Sequence, residues 1–289
     1  MEIEFVKMHG LGNDFVILDD RTGEIHAIST YFDLAKHLCS RHFGVGADGI
    51  ILVLDSKTHD IRFRIFNSDG SEASMCGNGM RCFAKYLLEK GIVKKNVIRV
   101  ETPAGTVIPE IVKNDSKGAG LVRVDMGEPI LAPDKIPFIS TGSQALNEIV
   151  LVNGKEISIT AVSMGNPNAV VIVDDVNEID LAKLGKEIET HERFPEKANV
   201  EFIEVLSENE LKMRVWERGA GETLACGTGA CAALVAAHMI GKTSNKALIH
   251  LEGGDLEIEW NKTSNHIFKT GPAEFVFTGT VNWPLESGN

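Results

Sequence analysis

The hydrophobic pattern predicts a chain built mostly of short strands. Apolar residues alternate with polar ones, or run unbroken, across 3–5, 15–18, 49–54, 61–67, 97–102 and 120–125. These lengths and compositions suit strands. A second series follows at 149–152, 157–162, 169–173, 200–205, 211–217, 247–251, 256–260 and 274–280. Helical spacing is rarer and falls on 32–39, 78–90, 179–190 and 228–240. Gly91 and Gly241 stand just past two of these helices, where a left-handed C-cap residue is needed. Residues 113–120 predict a hairpin loop. Gly and Pro interrupt the pattern across 126–133, which marks a boundary between two halves.

The halves share a sequence register. Cys76 and Cys226 are 150 residues apart, and each opens a Cys-Gly-x-Gly motif at the start of a predicted helix. Superposing them without gaps pairs Arg64 with Arg214, Phe66 with Trp216, Asn67 with Glu217 and Glu72 with Glu222. Gly77 and Gly79 then fall on Gly227 and Gly229, and a similar offset sets Gly12-Asn13 against Gly165-Asn166. Two related domains are expected, facing each other across a pseudo-twofold axis. Their expected extents are 1–126, completed by 273–289, and 127–272.

A helix start of this kind is chemically useful. Its first N–H groups are unpaired and carry partial positive charge, and glycine lets a ligand come close. A carboxylate or phosphate suits such a place. A cysteine there is expected to have its thiolate stabilised and its pKa drawn down from about 8.5. Two such cysteines flanking one carbon would allow one thiolate to remove a proton while the opposite thiol supplies another. That is racemisation or epimerisation by two bases, without a cofactor. The alternative reading of either cysteine is simple packing at a helix start.

Charge and composition narrow the partners. Lys and Arg number 29 against 41 Asp and Glu, a net charge of −12. That disfavours a nucleic-acid coat or a polybasic membrane anchor. The most apolar stretch, 224–240, contains Gly, Thr and His238 and reads as a buried helix rather than a membrane span. Five cysteines, an odd number, and an acidic alternating start predict a reducing, cytoplasmic setting. Cys39, Cys82 and Cys231 read as buried apolar residues. No cysteine pair has zinc-site spacing, so no metal is expected. Gly44 to Gly49 formally match G-x-G-x-x-G, but they lead into a strand and not a helix, so they read as a turn.

Several segments together resemble the diaminopimelate epimerase family along essentially the whole chain. They are Lys7 to Phe15 (KMHGLGNDF), Phe66 to Ser71 (FNSDGS), Cys76 to Cys82 (CGNGMRC), Ser163 to Pro167 (SMGNP), Asn199 to Phe202 (NVEF), Trp216 to Gly219 (WERG) and Glu222 to Gly229 (ETLACGTG). The resemblance implies an α/β (α+β) fold of two pseudo-symmetric domains, each a mostly antiparallel barrel-like sheet around a central helix. It places the active site in the cleft between them. It implies cofactor-independent conversion of LL- to meso-diaminopimelate, for lysine and peptidoglycan synthesis, by a homodimer.

The resemblance also implies roles. Cys76 and Cys226 are the acid/base pair. Backbone at Gly77, Asn78, Gly227 and Thr228 binds the reacting carboxylate. Asn13, Asn67, Asn166, Asn199, Glu217 and Arg218 hold the amino groups and the distant carboxylate. Most members carry His where this chain has Asn168, and that His, with the counterpart of Glu217, is held to tune the thiols. Asn cannot take up a proton near neutrality, so only an orienting role is expected of Asn168. Gly49 stands where some members have Gln. The alternatives are a histidine or proline racemase on the same scaffold, or a non-catalytic amino-acid-binding protein.

Overall fold

A computed structural model describes residues 1–115 and 118–283. The chain forms two compact units: Met1–Val124 with the chain from Gly271 onward, and Asp125–Thr270.

In the first unit β1 (Glu2–Gly10), β2 (Asn13–Asp19), β3 (Gly49–Leu54) and β4 (Ile61–Asn67) lie side by side. Two helices, α1 (Glu24–Ile28) and α2 (Tyr31–Leu38), connect β2 to β3. The short β5 (Glu72–Ala73) pairs with β4 and leads into α3 (Gly77–Glu89). β6 (Val100–Thr102) and β7 (Gly105–Val107) extend the sheet, and β8 (Glu110–Asp115) and β9 (Gly118–Asp125) form a hairpin.

The second unit carries β10 (Glu148–Val152), β11 (Lys155–Ser163), β12 (Pro167–Ile172), α4 (Leu181–Glu189), β13 (Asn199–Ser207) and β14 (Glu210–Glu217). Then come β15 (Gly221–Thr223), α5 (Gly227–Met239), β16 (Lys246–Leu251), β17 (Gly254–Trp260) and β18 (Ile267–Gly271). The last strand, β19 (Glu274–Asn282), pairs antiparallel with β1.

The two units repeat one topology. β1–β2, β3–β4 and β6–β7 are antiparallel, whereas β2–β3 and β4–β6 are parallel. The second unit has the same order of directions along β11–β12–β13–β14–β16–β17. β3 and β13 start 150 residues apart, β4 and β14 end 150 apart, and α3 and α5 are both 13 residues long.

Burial explains the unbroken apolar strands. Ile50 and Leu52 of β3 pack with Leu34, Ala35 and Leu38 of α2, while Ile51 faces Gly79 of α3. A strand covered on both faces has no polar side to show. In the second unit Val200 and Phe202 of β13 pack toward Leu181 and Ile188 of α4. β11, β12, β13, β16 and β17 all touch α5, so the sheet curls around that helix. α3 is equally enclosed, with every residue from Gly77 to Leu87 buried.

Three expectations need correction. The strand expected at 97–102 is only Val100–Thr102, because Val97 makes a lone bridge to Glu110 instead of joining the sheet. The hairpin loop expected at 113–120 is much shorter, since ladder pairing continues to Asp115 and resumes at Gly118; residues 116 and 117 lie outside the described residues. β5, β7, β8, β15, β18 and α1 went unanticipated, most of them too short or too polar to set a period.

α4 approaches β14 closely at Gly185. A Cβ there would lie 2.6 Å from Trp216 Cβ, nearer than packed carbons tolerate. Gly185→Ala should therefore destabilise the protein by about 1–3 kcal/mol despite alanine's better helix propensity. Urea unfolding measures this, and an unchanged or raised midpoint would refute the close approach.

Candidate functional site

Each unit presents one cysteine as the N-cap of its enclosed helix. Cys76 is extended (φ −140°, ψ 118°), and its Sγ accepts the Gly79 N–H at 3.4 Å. Cys226 does the same for α5, accepting the Gly229 N–H at 3.4 Å. Sulfur thus takes the place that a hydroxyl or carboxylate usually fills at a cap. The N–H groups of Gly77, Asn78, Gly227 and Thr228 begin the two helices, where no earlier turn offers them a carbonyl.

In the first unit the cysteine is half-buried among amides. Asn13 Oδ1 accepts from Asn78 Nδ2 at 3.3 Å and from the Cys76 thiol at 3.9 Å. Asn13 comes at the end of a tight turn, with Leu11 and Gly12 both at positive φ. Its Nδ2 donates to Asp48 at 2.7 Å, which fixes which way the amide faces. Asn78 is fixed in turn by Arg81, whose Nη1 donates to Asn78 Oδ1 at 2.8 Å and whose Nε reaches the Pro272 carbonyl at 2.9 Å. Asn67 closes β4, exposed, with its amide on Ser71 Oγ at 3.0 Å.

In the second unit the cysteine is buried and its neighbours form a connected network. Asn199 Nδ2 donates to Cys226 Sγ at 3.8 Å and to Asn168 Oδ1 at 3.2 Å, and Asn199 Oδ1 accepts the Arg218 N–H at 2.8 Å. Asn168 is fully buried and donates to the Asn166 carbonyl at 2.7 Å. Asn166 Nδ2 reaches Thr228 Oγ1 at 3.3 Å, and that hydroxyl lies 3.5 Å from Cys226 Sγ. Glu217 accepts the Thr223 hydroxyl. The Arg218 side chain is exposed, with Nη1 on the Glu196 carbonyl at 2.9 Å.

The first unit therefore gathers Asn13, Cys76, Gly77 and Asn78, with Asn67 at the end of the neighbouring strand. The second gathers Asn166, Asn168, Asn199, Cys226, Gly227 and Thr228, with Arg218 joined through its N–H. A Cβ on Gly227 would have to displace the ammonium of buried Lys269.

The expectation of a lowered thiol pKa fails at Cys226. Burial, followed by the charges of Glu217 and Glu201, pushes this thiol well above its ordinary value. The Thr228 hydroxyl and the Gly229 N–H pull the other way and lose. Sequence showed the helix start but not the depth at which it lies.

Supporting residues escaped the sequence reading. Glu189 is buried, accepts the Trp216 indole N–H at 2.9 Å and the Gly219 N–H at 3.2 Å, and so clamps the turn bearing Glu217 and Arg218. Asp14 pairs with Lys7 at 2.7 Å and with Arg41 at 3.0 Å beside Asn13. Glu201 alone carried a local signal, a charge among the apolar residues of β13, and it is fully buried. Among the described residues no three His, Cys, Asp or Glu side chains gather into a metal-holding group. No helix among them is long and apolar enough to cross a membrane.

This topology is found among racemases and related isomerases. A hydroxyproline epimerase from Agrobacterium vitis superposes with a TM-score of 0.71 at 16% identity, covering 99% of this chain and 94% of that one. A PhzF-family protein from Bacillus anthracis gives 0.70 at 17%, covering 98% and 99%. The diaminopimelate epimerase family profile matches residues 5–132 and 160–276. The diaminopimelate epimerase of Desulforapulum autotrophicum is 63% identical over 281 residues, 97% of this chain and 99% of that protein. That of Acetivibrio thermocellus is 51% identical over 280 residues, again 97% and 99%. The family match and these relatives make the chain an isomerase of the epimerase class. Within it, the chain belongs to the diaminopimelate epimerase family.

The Asp14 pair gives the first half-site a measurable pH dependence. Burial opposes the carboxylate, but hydrogen bonds and charge from Arg41 and Lys7 outweigh it and hold the pKa at about 2, against about 4 in an unfolded chain. The resulting stability is fully present above the unfolded value and is lost as pH falls from about 4 towards 2. Asp14→Asn should cost about 2 kcal/mol near neutrality and flatten this acid limb. Urea unfolding at several pH values checks it; parallel curves for the two proteins would refute the assignment.

Proposed function

We propose that this chain converts LL-2,6-diaminopimelate to meso-diaminopimelate without a cofactor, Cys76 and Cys226 being the two bases, in lysine and peptidoglycan synthesis. One observation carries the reading: both enclosed helices start directly after a cysteine whose sulfur caps the first turn. In each turnover one thiolate takes the α-proton and becomes a thiol. The electron pair left on carbon delocalises into the adjacent carboxylate. The other cysteine then delivers its proton to the opposite face and becomes a thiolate. The N–H groups of Gly77, Asn78, Gly227 and Thr228 hold that carboxylate and stabilise the charge entering it. Asn13, Asn67, Asn166, Asn199, Glu217 and Arg218 bind the amino groups and the remote carboxylate. Arg218 offers a carboxylate two parallel donors, and Glu217 accepts from an ammonium. Asn168 keeps Asn199 turned toward the sulfur. The enzyme works as a cytoplasmic homodimer, and light scattering of the purified protein tests its size.

In D2O, LL-diaminopimelate should gain deuterium at the α-carbon as the meso isomer appears, with no cofactor added. Exchange with proline or histidine but not with this substrate would overturn the assignment. Cys76→Ala and Cys226→Ala should each abolish turnover, and full activity in either would refute the two-base scheme. Asn168→His introduces a group that titrates near neutrality next to Asn199. It should shift the pH profile of kcat/KM, and superimposable profiles would show that position 168 has no bearing on the thiols.

A further inference from the structure

The face that β13 turns toward α5 carries a buried carboxyl group. Glu201 lies between Val200 and Phe202 on β13, and its side chain points opposite to theirs, against the first turn of α5. It is fully buried, and neither carboxyl oxygen has a hydrogen-bond partner among the described residues. Its Oε1 stands 2.6 Å from where a Cβ on Gly229 would be. Gly229 is also the residue whose N–H binds Cys226 Sγ.

The internal repeat provides the comparison. In the first unit, 150 residues earlier, the equivalent residue of β3 is Ile51, whose Cδ1 lies 3.1 Å from a Cβ on Gly79. The strand, the glycine and the capping cysteine are equivalent in the two units; a methyl group in one is a carboxyl in the other. An apolar side chain therefore fills this space adequately, and packing alone does not call for a carboxyl whose burial carries a desolvation cost.

The charged groups around Cys226 come from three strands. Glu201 lies on β13, Glu217 on β14, and Lys269 on β18 sets its ammonium against Gly227. α5 itself carries the buried Cys231 and, in its last turn, His238. Burial and the Glu217 charge hold the proton on Glu201 well above the usual carboxylate range. When that proton leaves, the new charge opposes ionisation of Cys226.

We propose that Glu201 is a positioning residue for the epimerisation: acting through Cys226, it makes the second unit's cysteine the one that begins as a thiol and leaves Cys76 to begin as the base. This rests on the two-thiol reading above. Once pH has risen far enough for Glu201 to lose its proton, the proton form of the free enzyme with a Cys226 thiolate places a second negative charge beside a buried carboxylate. The form with a Cys226 thiol is therefore preferred, and it binds the isomer whose α-proton faces Cys76.

The test titrates the thiolate by its ultraviolet absorbance in Cys76→Ala protein, with Glu201 intact, with Glu201→Gln and with Glu201→Ile. Cys39 and Cys82, which burial pushes up to about 12, and Cys231 are common to every variant, so differences between variants report Cys226. Gln keeps the shape of the side chain and Ile copies the first unit's packing, so failure of one to fold leaves the other to decide. The Cys226 titration should move to lower pH by about one unit or more in both variants. Superimposable titrations would overturn the proposal. This readout needs no substrate, so it stands apart from the identity of the amino acid turned over. In enzyme with Cys76 intact, Glu201→Gln should raise kcat/KM about tenfold, at pH values above the ionisation of Glu201 and below that of Cys226, for the isomer whose proton Cys226 removes. Unchanged profiles for both isomers would also overturn it.

Discussion

The first turn of a helix carries N–H groups that the helix itself cannot satisfy. On a protein surface water takes them. α3 and α5 are wrapped by sheet, so their first turns have to be served by whatever the strand ends and loops bring. In both units a sulfur accepts one N–H, and glycines keep the backbone bare around the rest. The surrounding side chains are largely amides: Asn13 and Asn78 in one unit, Asn166, Asn168 and Asn199 in the other. An amide donates and accepts without adding charge, so these side chains do not neutralise the partial positive charge of the helix start.

The same frame carries unequal chemistry. Cys76 is half-buried and faces Asn13; Cys226 is buried and faces Asn199, Thr228 and two carboxyl groups. Asn67 and Glu217 end equivalent strands, and Ile51 and Glu201 occupy equivalent positions beneath equivalent glycines. The proposed reaction, which takes a proton from one side and gives one from the other, needs two thiols in opposite states. Duplication supplies the two positions, and the substitutions between copies make them unlike.

Much of this was legible in the chain. β3 and β4 are unbroken or alternating apolar runs whose ends coincide with a turn glycine and an asparagine, so their limits follow from pattern alone. The repeat register emerged from two cysteines and their glycines, and the structure extends it to strand direction and helix length. Other features were hidden because they are contacts between distant segments. Arg81 meets Pro272, Glu189 meets Gly219, and Asp48 meets Asn13; no local period marks any of them.

The sequence by itself determined the longer strands and helices, the internal repeat and the identity of the two capping cysteines, because these depend on neighbours a few residues apart or on an offset that can be counted. Only the tertiary structure decided how those cysteines differ. A thiol's proton affinity depends on depth and on charges brought from other strands. Cys226 lies buried with Glu201 and Glu217 beside it, and there desolvation and like charge outweigh the helix start that sequence had correctly located.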